Sequence, residues 1–361
     1  MMNQGDGLME NVYEKLRERL DDLANGYPAT ASKVEIRLLE RLFTEEEAEL
    51  YMQLSPFLEK PQDVAQRLNR DAAELEVMME GMAQKGHLFR LRKGDRVRYS
   101  VVPYVVGIFE HQLGRMDEGF ARDHEEYFET AFSKTFQSFK TPILRTIPIK
   151  RQLVADYPVA PFEDVLQIIE SQKKIAVAPC VCRTTKKMVG HECDKPVENC
   201  FSFGSHAEYY VENGMGRFIT IDEAKEIVTR NEEAGLVMQP FNSQKIGGMC
   251  SCCGDCCGVL RSLKMHPTPA KLVQSNYFAR VDDEECTGCE TCLERCQMEA
   301  IAVVDGIADF NLERCIGCGL CVTTCPVDAI ELVKKPEDEL YEPPKSGAET
   351  YMRIMQERGK L

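Results

Sequence analysis

Two runs of cysteine with one spacing stand toward the C-terminal end of the chain. Cys286, Cys289, Cys292 and Cys296 are separated by two, two and three residues, and Cys315, Cys318, Cys321 and Cys325 repeat that spacing, closed by Pro326. Three thiolates two residues apart can bind three irons of one cubane, because a tight loop turns the chain after each third residue. A pair of zinc knuckles would also use Cys-x2-Cys pairs. Zinc takes two thiolates per knuckle and four per ion, which would leave the third cysteine of each run idle, so the spacing favours iron and sulfide. The repeat extends past the cysteines. A shift of 29 residues carries Cys286 onto Cys315, Cys296 onto Cys325 and Glu299-Ala300-Ile301 onto Asp328-Ala329-Ile330. One unit therefore occurs twice, with an expected approximate two-fold relation between the copies.

Over about residues 278–335 these runs resemble the bacterial two-cluster ferredoxins. The resemblance implies that the fourth cysteine of each run crosses to the other cluster. It groups Cys286, Cys289, Cys292 and Cys325 around one 4Fe–4S centre, and Cys315, Cys318, Cys321 and Cys296 around the second. Gln297 departs from the pattern, which usually has proline after the fourth cysteine. That leaves the ligands in place and alters only local loop rigidity.

Nine further cysteines fall in the middle of the chain: Cys180, Cys182, Cys193, Cys200, Cys250, Cys252, Cys253, Cys256 and Cys257. This density exceeds what packing needs, although free cysteine is a common core residue. A further 4Fe–4S centre, a zinc site, a redox dithiol and simple burial all stay open. The vicinal pairs cannot all point the same way, so some members are expected to be non-ligands. A short strand at 174–178 is expected to fix Cys180 and Cys182 at its end, where Cys193, Cys200 or members of the 250–257 group would join them around one more metal centre. Iron–sulfur is preferred over zinc there, and Arg183 would offset the thiolate charge. Cys252-Cys253-Gly254 and Cys256-Cys257-Gly258 resemble the Cys-Cys-Gly triplet of heterodisulfide-reductase subunits, but lie too close together to be two repeats of that kind.

The elements that must position these thiols can be read in outline. At 361 residues, with 43% hydrophobic content, the chain suggests two or three domains. The expected fold class is α+β multidomain. An N-terminal helical extension (1–33) leads to a winged-helix-like domain (34–108), a helical adaptor (109–172), a Cys-rich α/β region (173–270), a two-cluster ferredoxin fold (271–335) and a polar tail (336–361). Apolar spacing and caps predict helices over 8–20, 34–43, 61–68 and 72–84, with a capping box at Thr44 and Glu47 opening another after 43, then a hairpin about Lys93-Gly94-Asp95. Residues 109–140 read as helix throughout, with Phe128, Phe132, Phe136 and Phe139 as a packing stripe. Helices are also expected at 161–169, 221–234 and 258–265, strands at 174–178 and 236–238, and a final short helix over 349–357 in a tail that docks on a partner or stays mobile.

Charge narrows the partners. The net charge is −15, from 44 basic and 59 acidic residues, which disfavours non-specific nucleic-acid binding. The second helix of the winged-helix-like part carries Asp71, Glu74, Glu76 and Glu80 against Lys85, which would repel a phosphate backbone. Its wing is basic (Arg90, Arg92, Lys93, Arg96, Arg98), so nucleic acid is an unlikely but not an abandoned partner. Between 277 and 335, 12 acids face 5 bases, a surface suited to a redox protein or oxidoreductase complex with a basic face. No run approaches the about 20 apolar residues a membrane span needs. The absence of a signal-like N-terminus leads to an expected cytoplasmic location with reduced thiols.

The whole chain is similar to larger 4Fe–4S-binding proteins of anaerobic bacteria, in which a winged-helix-like part precedes a Cys-x-Cys-Arg segment (Cys180 to Arg183), a cysteine cluster and a ferredoxin. That similarity implies single-electron transfer between a low-potential donor and a larger oxidoreductase. With no nucleophile–base pair or dinucleotide fingerprint, independent catalysis is not expected. Two alternatives stand beside it: an iron–sulfur-sensing regulator that uses the winged helix on DNA, and an oxidoreductase subunit whose chemistry takes place at the third centre.

Overall fold

The computed structural model describes residues 11–138, 140–148 and 160–361. Five helices come first: α1 (Val12–Asp21), α2 (Val34–Leu42), α3 (Glu45–Gln53), α4 (Pro61–Leu68) and α5 (Ala72–Gln84). They lead into a hairpin of β1 (Leu88–Lys93) and β2 (Arg96–Val101). The starts follow from local chemistry. Asn11 and Asp71 accept first-turn N–H groups of α1 and α5, Thr44 and Glu47 form a reciprocal capping box on α3, and Pro61 opens α4. Gly86 ends α5 at φ +86°. The first helix is not set apart, since Leu16 and Leu20 share one core with Leu38, Tyr51, Met79 and Tyr99.

The hairpin is held down by its own chain. Arg90, counted above with the basic wing, is buried and pairs with both Glu80 and Glu212 at 2.6 Å. Phe89 stacks on His206 with ring centroids 4.7 Å apart, and the Tyr209 hydroxyl lies 2.9 Å from the carbonyls of Ala83 and Leu88.

The stretch read as helix over 109–140 is interrupted. A 3-10 turn (Glu110–Gln112) gives way at Gly114 (φ +80°), and Asp117 caps a new helix, α6 (Glu118–Tyr127). This passes through a π-helical turn (Phe128–Phe132) into α7 (Ser133–Thr135). A glycine in the left-handed region and an aspartate cap are stop and start signals that outweigh the apolar spacing. Phe128 and Phe132 are buried in the N-terminal core and Phe136 packs against it. Phe139 and the beginning of the 8–20 helix lie outside the described residues.

The middle of the chain forms α8 (Val165–Glu170), β3 (Ile175–Pro179), α9 (Val181–Met188), β4 (Glu198–Phe203), α10 (Ser205–Glu212), β5 (Arg217–Ile219), α11 (Ile221–Glu233), β6 (Val237–Pro240), β7 (Gly248–Cys252) and α12 (Gly258–Met265). The helix expected from 161 starts later, because Asp164 is extended and caps α8 after a 3-10 turn at Pro161–Glu163. The five strands make one antiparallel sheet in the order β5-β3-β4-β7-β6. Ile175, Val177, Phe201, Phe203, Met238 and Met249 face a core closed by α8 and α11. By the two-residue period of a strand, the alternate residues Cys200, Cys250 and Cys252 lie on the opposite face.

The C-terminal lobe holds β8 (Tyr277–Val281), α13 (Thr291–Arg295), β9 (Ile301–Val304), β10 (Ile307–Phe310) and β11 (Ile330–Lys334), with β8 pairing β11 and β9 pairing β10. The tail packs against its own chain. It ends in α14 (Gly347–Glu357), whose Ile354 is fully buried. Arg358 donates to the Leu23 carbonyl at 2.6 Å, Thr141 Oγ1 donates to Glu357 at 2.7 Å, and the Tyr351 hydroxyl donates to the Val106 carbonyl at 3.1 Å. An amphipathic helix must cover its apolar stripe, and here the chain supplies the cover itself. Among the described residues no helix is long and apolar enough to cross a membrane.

Candidate functional site

Two sulfur-lined cavities open in the C-terminal lobe. One is walled by Cys286, Cys289, Cys292 and Cys325 with Ala308, Pro326 and Ile330. The other is walled by Cys296, Cys315, Cys318 and Cys321 with Ala279, Ile301 and Phe310. The loops thus bring together the two sets of four that the crossover pattern groups. Backbone N–H groups point at sulfur in both: Ala308 at 3.4 Å from Cys286, Ala329 at 3.2 Å from Cys325, Ala300 at 3.2 Å from Cys296 and Ala279 at 3.5 Å from Cys315. Such donors favour thiolate over thiol. Burial acts the other way, raising the Cys321 thiol and pushing Cys318 up to about 12. Sulfur donors, apolar walls and N–H···S contacts fit a 4Fe–4S cluster, whose positive iron would settle these opposed tendencies. Gly288 and Gly317 sit at φ +63° and +65°, and a Cβ at either would strike the backbone of Gly306 or Tyr277, so the loops can close this tightly only on glycine.

The middle cysteines divide into two groups. Six form one contiguous group, each touching the next in the order Cys180, Cys182, Cys257, Cys252, Cys250, Cys200, with Cys252 and Cys257 buried and the other four half-buried. Three come from the sheet face opposite the α8–α11 core; Cys200 stands on β4 next to Ala178 of β3. Cys180 and Cys257 occupy the N-cap positions of α9 and α12, and Cys182 lies in the first turn of α9. Two helix N-termini therefore aim unpaired N–H groups at the thiols, which helps hold negative charge there. Cys257 is lowered to about 5 by hydrogen bonds from Cys182 and Cys252, and Cys250 is lowered by Cys200 and Cys252, while burial and these same contacts raise the other four. Glu110, which sequence reasoning missed, lies half-buried beside Cys180 and Cys250. Desolvation pushes its carboxyl up to about 8, although it accepts the Gly107 N–H at 2.7 Å. Its only sequence signal is an acid directly after the apolar 104–109 run.

The remaining three cysteines, Cys193, Cys253 and Cys256, lie apart from the six. Their sulfurs and an Asp255 carboxylate oxygen all fall within 4.8 Å of one another. The vicinal pairs do point in opposite directions: Cys252 and Cys257 contact the group of six, and Cys253 and Cys256 the other group. Arg183 stands between the groups, 3% exposed, with its guanidinium donating to Pro196 and Ser251 carbonyls at 3.1 and 3.0 Å. Desolvation works to lower its pKa, but the neighbouring Cys180, Cys253 and Cys252 sulfurs outweigh it and raise the pKa, so Arg183 stays a cation between the groups.

The pocket adjoins the C-terminal lobe. Cys250, Cys252 and Cys257 share one apolar core with Cys296, Cys315 and Cys318, filled by Leu260, Met298, Ile316 and Leu320. Gln297, the departure from proline, is the joint: its Oε1 accepts the Gly254 N–H at 2.7 Å and its Nε2 donates to the Gly235 carbonyl at 3.1 Å. Away from that joint Cys289 is exposed, within a rim of exposed Asp282, Asp283, Glu284, Glu285, Glu290 and Glu294.

Comparison with protein families finds a 4Fe-4S dicluster domain over residues 278–332, which implies two 4Fe–4S clusters. Neither the curated proteins nor the solved structures gave a match to this chain. The dicluster domain and the abundance of cysteine suggest an iron–sulfur protein that carries electrons.

Proposed function

We propose that the chain passes single electrons between a redox partner with a basic face and a further iron–sulfur centre in its own six-thiol pocket. Cys286, Cys289, Cys292 and Cys325 would hold one 4Fe–4S cluster, and Cys296, Cys315, Cys318 and Cys321 the other. Members of the group Cys180, Cys182, Cys200, Cys250, Cys252 and Cys257 would hold the third. An iron–sulfur cluster, when bound, accepts and releases one electron at a potential set by its charge, burial and hydrogen bonds.

The observation that carries this reading is continuity. Three sulfur groups run from exposed Cys289 through the Cys296–Cys318 cavity to the six thiols against one face of the sheet, with one apolar core spanning the last two. The chain's residues have separable tasks. The acidic rim around Cys289 orients a basic partner, Ala308 and Ala300 N–H groups hold charge on sulfur, and Leu260, Met298 and Ile316 exclude water between pocket and cavity. The winged-helix-like part serves as a docking element inside the chain rather than on DNA, which the engagement of Arg90 with Glu80 and Glu212 supports. Six thiols exceed the four a cubane takes. That surplus favours a second reading in which chemistry takes place at the pocket.

Anaerobic iron and sulfide analysis with EPR of the reduced chain tests the proposal. Signals from more than two interacting centres are expected, with electron transfer to a small basic redox protein that slows as salt rises. A chain that binds zinc at the Cys286–Cys325 runs, with no paramagnetic reduced state, would end it.

A further inference from the structure

We infer that Cys193, Cys253, Cys256 and Asp255 form a mononuclear metal site of the zinc class, separate from every iron–sulfur centre of the chain. The compactness of the group is the first argument. Its four ligand atoms lie within 4.8 Å of one another. Ligands around one tetrahedral ion with metal–sulfur bonds of about 2.3 Å stand about 3.8 Å apart. Thiolates on a cubane sit on different irons and are more widely spread, so four atoms all in mutual reach suit one ion, unlike the six, of which successive members touch along a chain.

The donor set is the second argument. Cys253-Gly254-Asp255-Cys256 is a Cys-x2-Cys knuckle, and Cys193 comes to it from the loop between α9 and β4. The Lys195 N–H lies against the Cys193 sulfur two residues back, as in a metal-binding knuckle. Asp255 is oriented by His191, whose Nε2 is 3.1 Å from its carboxylate, the kind of outer partner a ligating group needs. Cys253 and Cys256 are buried with Leu236, whereas Asp255 is half-exposed, so an ion could reach the site from solvent. Three soft thiolates and one carboxylate close the coordination of zinc, or of ferrous iron in its place.

A redox dithiol is the strongest competitor. Cys253 is lowered to about 7, chiefly by its hydrogen bond from Cys256, and that is also how an attacking thiol is prepared. A dithiol needs two sulfurs and no carboxylate. Here a third sulfur from a distant loop and an acid converge on the same point, which serves an ion. The ion would act as a clamp, because the turn it fixes carries Cys252 and Cys257 on its other face.

The test uses the full chain, purified without oxygen, with metals measured by mass spectrometry and cobalt(II) substituted for zinc. About one zinc per chain is expected beside the iron, and the cobalt form should show thiolate charge-transfer and tetrahedral bands. Cys193→Ser and Cys256→Ser should each weaken zinc retention against a chelator by about tenfold or more with iron unchanged, and Asp255→Asn should keep the ion with shifted cobalt bands. Loss of about four irons in Cys193→Ser would place a cluster here and overturn the inference. So would a wild-type chain that takes up neither zinc nor cobalt, or a reversible Cys253–Cys256 disulfide in its place. Should the serine variants fail to fold, chelator competition on the wild-type cobalt form decides alone. The iron count reads the electron-carrier proposal independently.

Discussion

The two cysteine regions solve one problem by opposite means. In the C-terminal lobe each cavity draws three thiols from one short run and a fourth from the repeat, so a few dozen residues contain everything needed. In the middle region six thiols arrive from two strands and two helix starts, between Cys180 and Cys257, and only the assembled sheet brings them together. The first site is built by loops and the second by a fold. The second should therefore fail whenever the sheet or its supports fail, while the first should persist.

Acid should separate the regions most strongly. His87 is held down to about 3, and His111 and His124 to about 4, in each case chiefly by burial. All three lie in the N-terminal part, and none in the C-terminal lobe. A histidine kept neutral in the fold binds fewer protons than in the unfolded chain. Its contribution is whole above about pH 6.5 and is lost as pH falls toward 4, by about 1.4 kcal/mol per unit for each group. Circular dichroism against pH should show the helical and sheet parts unfolding in that window while the lobe's visible absorption persists longer. Simultaneous loss would break the distinction.

Arg183→Ala should act next most strongly. It removes a buried cation between two thiol groups and two charged hydrogen bonds, at a cost of about 3–5 kcal/mol. Denaturant titration should show the loss, with iron leaving the middle pocket only. Retention of all iron at wild-type stability would contradict the role of Arg183.

The legible and illegible parts of the sequence divide along the same line. The grouping of Cys286 with Cys325 is implied by the resemblance to two-cluster ferredoxins, which the local spacing carries. The meeting of Cys200 with Cys250 depends on β4 lying beside β7, a neighbour relation set by the whole antiparallel sheet and by no local signal. The capping box at Thr44 and the stop at Gly86 were readable because a cap acts within one turn. The break at Gly114 was masked by apolar spacing on both sides of it. For the tail, periodicity revealed the helix of Ile354 but not that the chain near Leu23 and Val106 covers it. Gln297 showed in sequence only as a missing proline, whereas its two hydrogen bonds join the regions.

That joint offers the smallest effect. Gln297→Pro restores the usual residue but removes both bonds to Gly254 and Gly235, costing about 1–3 kcal/mol. The middle region should loosen, seen as faster hydrogen exchange at 250–257, with the lobe's spectrum unchanged. Unaltered exchange would mean that the shared apolar core alone joins them.

The central claim is that the middle thiols hold iron of their own, and iron per chain measures it directly. The intact protein should carry well above the about eight irons that two cubanes account for, and a Cys180→Ser, Cys182→Ser double variant should fall back to about eight. If intact protein and variant both bind about eight irons, the middle pocket holds no iron–sulfur centre.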